Sequence, residues 1–144
     1  MIHGPTSANW DVDLGPWVLA DWYHDDAFSL LWREFYTTRA PIPESMVLNG
    51  KGIYNCDPRN STHCSGDGEL FDVVFEPGVK YKIGLVNTGS LLTETFWIDG
   101  HNFTVVAMDF VQIEPFVTDV INIGIGKFDL IQTFSPIPQF LTLS

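Results

Sequence analysis

Four histidines, two cysteines and a surplus of carboxylates are the side chains of this 144-residue chain that could hold a metal, move protons or attack a substrate. A metal centre needs several imidazole, thiolate or carboxylate donors converging, usually at a recognisable spacing. His3, His24, His63 and His101 form no His-X-His pair, and none stands in a ligand-like spacing with a cysteine. Met46 and Met108 have no Cys-His partner nearby. No Gly-X-Ser-X-Gly elbow, phosphate-binding glycine loop or zinc-protease helix motif is present. Ser, His and Asp all occur, but no spacing marks a triad, which leaves only one assembled in space. His101 lies in TFWIDGHNFTVVAMDF, Thr95 to Phe110, directly after Asp99-Gly100. Asp-Gly is a two-residue hairpin signal, because the tight turn needs positive φ and glycine takes it without strain. His101 is therefore expected to be a turn residue entering the second strand of a hairpin, ahead of a metal ligand or a base.

The cysteines, Cys56 and Cys64, share one polar loop, NCDPRNSTHCSGDG. Their spacing admits a local disulfide in an oxidising compartment or two unpaired surface thiols. Two N-glycosylation sequons occur, at Asn60 and Asn102. Cysteines and sequons together point to a secreted parent, although no basic and apolar leader follows Met1. Acids outnumber bases 18 to 7, for a formal charge of −11. Such a surface repels a phosphate backbone, which argues against nucleic-acid binding. No apolar run reaches the length of a membrane span.

The elements that must position these groups read as β. With 45% apolar and 14% aromatic residues, a chain of this length can fill the core of one domain. PWVLADWYH reads as a buried strand, Trp17 to Tyr23, with Trp22 and Tyr23 in the core. DDAFSLLWREFY is the one convincing helix: Asp25 or Asp26 caps it, and Phe28, Leu31, Trp32 and Phe35 share a face. SMVLNGKGIY is a short strand running into an Asn49-Gly50 turn. LFDVVFEPG ends in a Pro77-Gly78 turn, and KYKIGLVNTG puts Tyr81, Ile83 and Leu85 on one face. TFWI and FTVVAM flank the Asp99-Gly100 turn. VTDVINIGIG aligns Val117, Asp119, Ile121, Ile123 and Ile125, and KFDLIQTF is a last strand before a Pro-interrupted tail. Seven or eight short strands with turns between them indicate an all-β sandwich or barrel with one short helix.

The ordered series DWYH, LNGKG, FEPGVKYKIGLVNTG, IDGHNFTVVAMDFV and TDVINIGIG resembles the middle cupredoxin-like domain of multicopper oxidases, fungal laccases above all, over essentially the whole chain. The resemblance implies a Greek-key, cupredoxin-like (plastocyanin-like) sandwich over residues 1–144, one of three such domains in an extracellular parent. Those enzymes remove single electrons from phenols and aromatic amines at a blue copper and reduce dioxygen to water at a copper cluster. Their copper ligands lie in the flanking domains, so the resemblance implies no catalytic or metal-binding residue in this chain, whose place is to space its neighbours and line the substrate pocket. An acidic residue just before the LNG turn faces the reducing substrate in such laccases; the matching position is Glu44 in PESMVLNG. A carboxylate there can take the proton of a phenol that has lost an electron; read alone, Glu44 is more readily a solvated loop acid after a proline, and the resemblance brings the two readings level.

One departure stands out. IGIGKFDLI is one residue shorter than the family's usual segment, with Lys127 and Phe128 in place of Gln-Arg-Tyr, which questions the register of the last strand. Two other classes of function remain open from sequence: a stand-alone module binding a small aromatic or glycan ligand on its rim, and a non-catalytic remnant pairing with a copper-bearing partner.

Overall fold

The computed structural model describes residues 9–54, 56, 68–134 and the backbone of 139–143. In chain order its elements are β1 (Val12–Trp22), α1 (Ala27–Thr37), β2 (Ser45–Leu48), β3 (Phe71–Phe75), β4 (Lys80–Asn87), β5 (Glu94–Trp97), β6 (Phe103–Met108), β7 (Val111–Thr118), β8 (Val120–Ile123), β9 (Phe128–Phe134) and β10 (Gln139–Leu143). A six-stranded sheet runs β2-β1-β4-β9-β6-β7; facing it are two ribbons, β10-β3 and β5-β8. β1 pairs parallel to β4, and the other pairs are antiparallel.

Turn chemistry decides which neighbours pair. At Asn49-Gly50 both residues have positive φ, 51° and 78°. That is the type I′ geometry whose twist matches two flanking strands. Leu48 and Lys51 accordingly exchange both backbone hydrogen bonds, at 2.9 and 3.0 Å. Asp109 and Phe110 likewise both have positive φ, 45° and 65°, at the turn between β6 and β7. At Pro77-Gly78 and Asp99-Gly100 only the glycine is positive, 81° and 71°. These are type II turns, and each carries the chain from a ribbon to the six-stranded sheet. The expected Asp99-Gly100 hairpin is therefore corrected: β5 pairs with β8, and β6 with β7 and β9.

The core lies between the layers. Trp17 of β1 is 2% exposed and meets Phe71 and Phe96 edge-on at 5.1 and 6.0 Å, joining the sheet to both ribbons. Tyr81, Ile83 and Leu85 are buried with it, as are Ile98, Phe103, Val105 and Ile131. Each such side chain contributes about 1.5–3 kcal/mol on burial. The opposite side of β4 is covered as well: Lys82 is buried, pairs with Asp13 and lies 4.2 Å from the Trp10 ring.

Several expectations are revised. β1 begins five residues earlier than the hydrophobic run suggested, with a register shift at Asp13/Pro16 beside Gly15 (φ 74°). Trp22 is exposed, while Tyr23 is half-buried with its hydroxyl 3.4 Å from Ser90 Oγ. VTDVINIGIG is not one strand: the chain changes sheets at Asp119, so Ile121 and Ile123 are buried and Val117 and Ile125 are exposed. The shortened segment closes as a tight turn. Lys127 N–H donates to the Gly124 carbonyl at 3.1 Å, and β9 then pairs with β4 without interruption. The irregularity sits on β6 instead, between Val105 and Ala107.

Candidate functional site: the rim between β1 and β2

Glu44 is set by strand pairing. Trp22, the last residue of β1, is opposite Ser45, the first of β2, and Glu44 N–H donates to the Trp22 carbonyl at 3.0 Å. Two residues beyond β1 and one before β2 the chain ends are still adjacent, which brings His24 against Glu44. The His24 backbone N–H donates to Glu44 Oε2 at 3.3 Å, and His24 Nδ1 bonds the same oxygen. Both groups remain partly accessible, with side-chain exposures of 19% for His24 and 39% for Glu44. The His24 ring lies 4.5 Å from the Tyr54 ring, tilted by 54°. Tyr54 follows the Asn49-Gly50 turn, and its carbonyl is 3.8 Å from Cys56 Sγ.

Between His24 and Glu44 the chain makes α1. Asp26 caps it by accepting from the Phe28 and Ser29 N–H groups at 3.0 and 3.1 Å, and the Ser29 hydroxyl bond is foremost in holding its carboxyl below the usual range. Thr38, left-handed at φ 54°, ends it. Phe28, Leu31, Trp32 and Phe35 do share a face, but none is buried; Phe28 is 77% and Phe35 71% exposed. Helical period predicts which side chains align, and not whether anything covers them. A rim with a carboxylate-imidazole pair and an uncovered aromatic helix can bind a flat, hydroxylated ring: stacking on aromatics holds the ring, and a carboxylate accepts its O–H.

Below this rim the loop after β4 is tightly tied. Asp21 Oδ2 accepts from Ser90 N–H (2.7 Å), Leu91 N–H (2.8 Å) and the Ser90 hydroxyl (3.1 Å). Burial, and next the Asp21 charge, push the Glu94 carboxyl above its ordinary value; Glu94 is 2% exposed. Asn87, fully buried, spans from the loop to β8.

His101 is a turn residue, as expected, though not of a hairpin. It closes the type II turn through its N–H to the Ile98 carbonyl at 3.0 Å. Its Nδ1 lies 3.0 Å from the Asp99 carbonyl, and its ring is buried against Phe75. Among the described residues no three His, Cys, Asp or Glu side chains converge as a metal site would require. Two of the histidines are already committed, His24 to Glu44 and His101 to its own turn. Cys56 is disulfide-bonded. Among the described residues these donors do not assemble as a copper site needs. His3, Asn60, His63 and Cys64 lie outside the described residues. Asn102 is exposed and lines a cleft of about 560 Å³ with Lys80, Thr104, Gln132 and Phe134. That cleft is at the Lys80 end of β4, whereas Glu44 lies beyond the Asn87 end. His24 was missed from sequence because it shares no local spacing with Glu44; the available signal was the antiparallel pairing of DWYH with ESMVL.

The fold is a cupredoxin-like β-sandwich. The multicopper oxidase family model matches residues 13–135, and the chain belongs to that family. It is 58% identical over 127 residues to dihydrogeodin oxidase of Aspergillus terreus, covering 88% of this chain and 21% of that protein. It is 38% identical over 132 residues to laccase-2 of Botryotinia fuckeliana, covering 91% and 22%. The crystal structure of the Botrytis aclada laccase superposes with a TM-score of 0.79 at 34% identity, over 92% of this chain and 24% of that one. The chain thus spans about a fifth of the length of the curated relatives it matches. No described helix is long and apolar enough to cross a membrane.

Proposed function

We propose that this chain is the middle domain of a secreted laccase-like oxidase, spacing two flanking cupredoxin domains and forming one wall of the pocket for a phenol or aromatic amine. The observation that carries the reading is the rim itself, where an accessible carboxylate and an uncovered aromatic helix occupy the same β1–β2 connection. Exposed apolar side chains aligned on one helix mark a surface made to be covered, and in this reading a flanking domain supplies the cover. The electron acceptor, copper, belongs to the flanking domains. Glu44 would accept the hydroxyl proton of a phenol as that phenol is oxidised, and copper in the flanking domains would supply the electron acceptor. A Cys56–Cys64 disulfide and a glycan at Asn60 or Asn102 suit an extracellular parent. A glycan at Asn102, at the other end of the sheet, leaves the Glu44 rim open.

The test is to titrate the chain with copper and assay phenol oxidation. Neither blue-copper absorbance nor turnover is expected; either one overturns the assignment of electron chemistry to other domains.

A further inference from the structure

We infer that His24 is the positioning residue for Glu44, and that the two form a hydroxyl-binding dyad for an aromatic substrate. The inference rests on the reading of Glu44 as the substrate-facing acid and adds to it a second residue with a distinct task.

Both contacts from His24 go to one oxygen, Oε2. The backbone N–H can only donate. With Oε2 already accepting from it, the imidazole meets a carboxylate, so Nδ1 carries a proton and donates too. Two donors on Oε2 fix the carboxylate's rotation. Among the described residues no group bonds Oε1, which is left to a ligand. Tyr54 closes the other side of the imidazole at 4.5 Å between ring centres and limits its rotation.

The other charged groups nearby are occupied. Asp25 is paired with Arg33, Asp26 caps α1, and the Tyr23 hydroxyl meets Ser90. None competes for the His24 imidazole, so among the described residues its acidic partner is Glu44. A carboxylate on a Pro-flanked loop would otherwise sample several rotamers, and fixing it is worth most to a reaction that needs the acceptor in place as the O–H bond weakens. His24 would leave untouched an electron donor that loses no proton.

The experiment has two arms. In the chain itself, nitrogen-detected NMR of the histidine rings should show a protected Nδ1–H on His24 that disappears in Glu44→Gln. In the full-length oxidase, kcat/KM is measured for a phenol and for ferrocyanide, which releases an electron and no proton. Glu44→Gln should lower phenol oxidation about 100-fold and His24→Ala about tenfold, with no loss toward ferrocyanide, an anion whose approach is helped by removal of a carboxylate. His24→Asn, which retains an N–H donor, should recover part of the loss, and the His24→Ala/Glu44→Gln double variant should be no slower than Glu44→Gln.

An unprotected Nδ1–H in the wild-type chain overturns the dyad. Loss in Glu44→Gln with none in His24→Ala overturns the role of His24 and leaves Glu44 standing. No loss in Glu44→Gln overturns the reading of Glu44 on which the inference rests. Equal losses toward phenol and ferrocyanide in His24→Ala assign it a merely structural role.

Discussion

Asn87 latches the two layers together at the end of the sandwich beneath the rim, and its removal should be costly out of proportion to its size. Its Nδ2 donates to the Leu92 and Ile123 carbonyls, each at 2.9 Å, and its Oδ1 accepts from Gly89 N–H at 2.8 Å. The residue is fully buried. Space around it is tight as well: a Cβ on Gly89 would meet Asn87 Oδ1 at 2.9 Å and Asp21 Oδ1 at 2.5 Å. Asn87→Ala therefore strands three backbone groups where the packing leaves little room for water. At roughly 1–1.5 kcal/mol for each unpaired group the loss is about 3–4 kcal/mol, a large share of the ~5–15 kcal/mol that holds a domain folded. Asn87→Asp is the informative companion. Its carboxylate retains the bond from Gly89 but presents lone pairs to two carbonyl oxygens, and should cost at least as much as alanine at neutral pH.

Urea unfolding followed by the fluorescence of buried Trp17 measures both variants, with the slope m as a check that the unfolded state is unchanged. Amide exchange should quicken at β8, since one of the broken bonds ends on Ile123. A loss below about 1 kcal/mol for Asn87→Ala, at unchanged m, would refute the latch, because unpaired buried groups in this setting cannot be that cheap.

Two other expectations follow from the same physics. Glu94 has a folded-state pKa raised by burial and by Asp21. The native state therefore holds its proton more tightly than the unfolded chain, stability falls as pH climbs from the ordinary value of 4.5 through the raised one, and the penalty is complete above that window; Glu94→Gln should stabilise by about 1 kcal/mol at pH 7 with the gain fading toward pH 4, and a gain that grows on acidification would contradict the sign. On α1, the double substitution Phe28→Ser/Phe35→Ser should change folding stability by less than about 0.5 kcal/mol per site while suppressing self-association of the isolated chain in sedimentation velocity; a large loss of stability would mean that this face is packed against the domain after all.

Much of this molecule is legible in local sequence, and the reason is steric. Period-two alternation marked Tyr81, Ile83 and Leu85 as core, and the pleat admits no other outcome once one side faces a second layer. Asn49-Gly50 specifies a hairpin because both residues tolerate positive φ. Helical spacing aligned Phe28, Leu31, Trp32 and Phe35. The family was legible too, in the order of its motifs.

Tertiary structure alone decided the rest. Asp99-Gly100 and Pro77-Gly78 are turns by sequence, yet whether a turn joins partners or moves the chain to the other layer depends on strands far away in the chain, β8 and β10. The same holds for Asp119, where one alternating run serves two sheets. Trp22 belongs to an apolar run but ends an edge-proximal strand and faces solvent. The His24–Glu44 pair spans 20 residues and exists because β1 and β2 run antiparallel with Trp22 opposite Ser45. Local propensity fixes the conformation of each short segment; only the packing of all of them together sets which side chains meet, because long-range contacts are selected by the burial of the whole core.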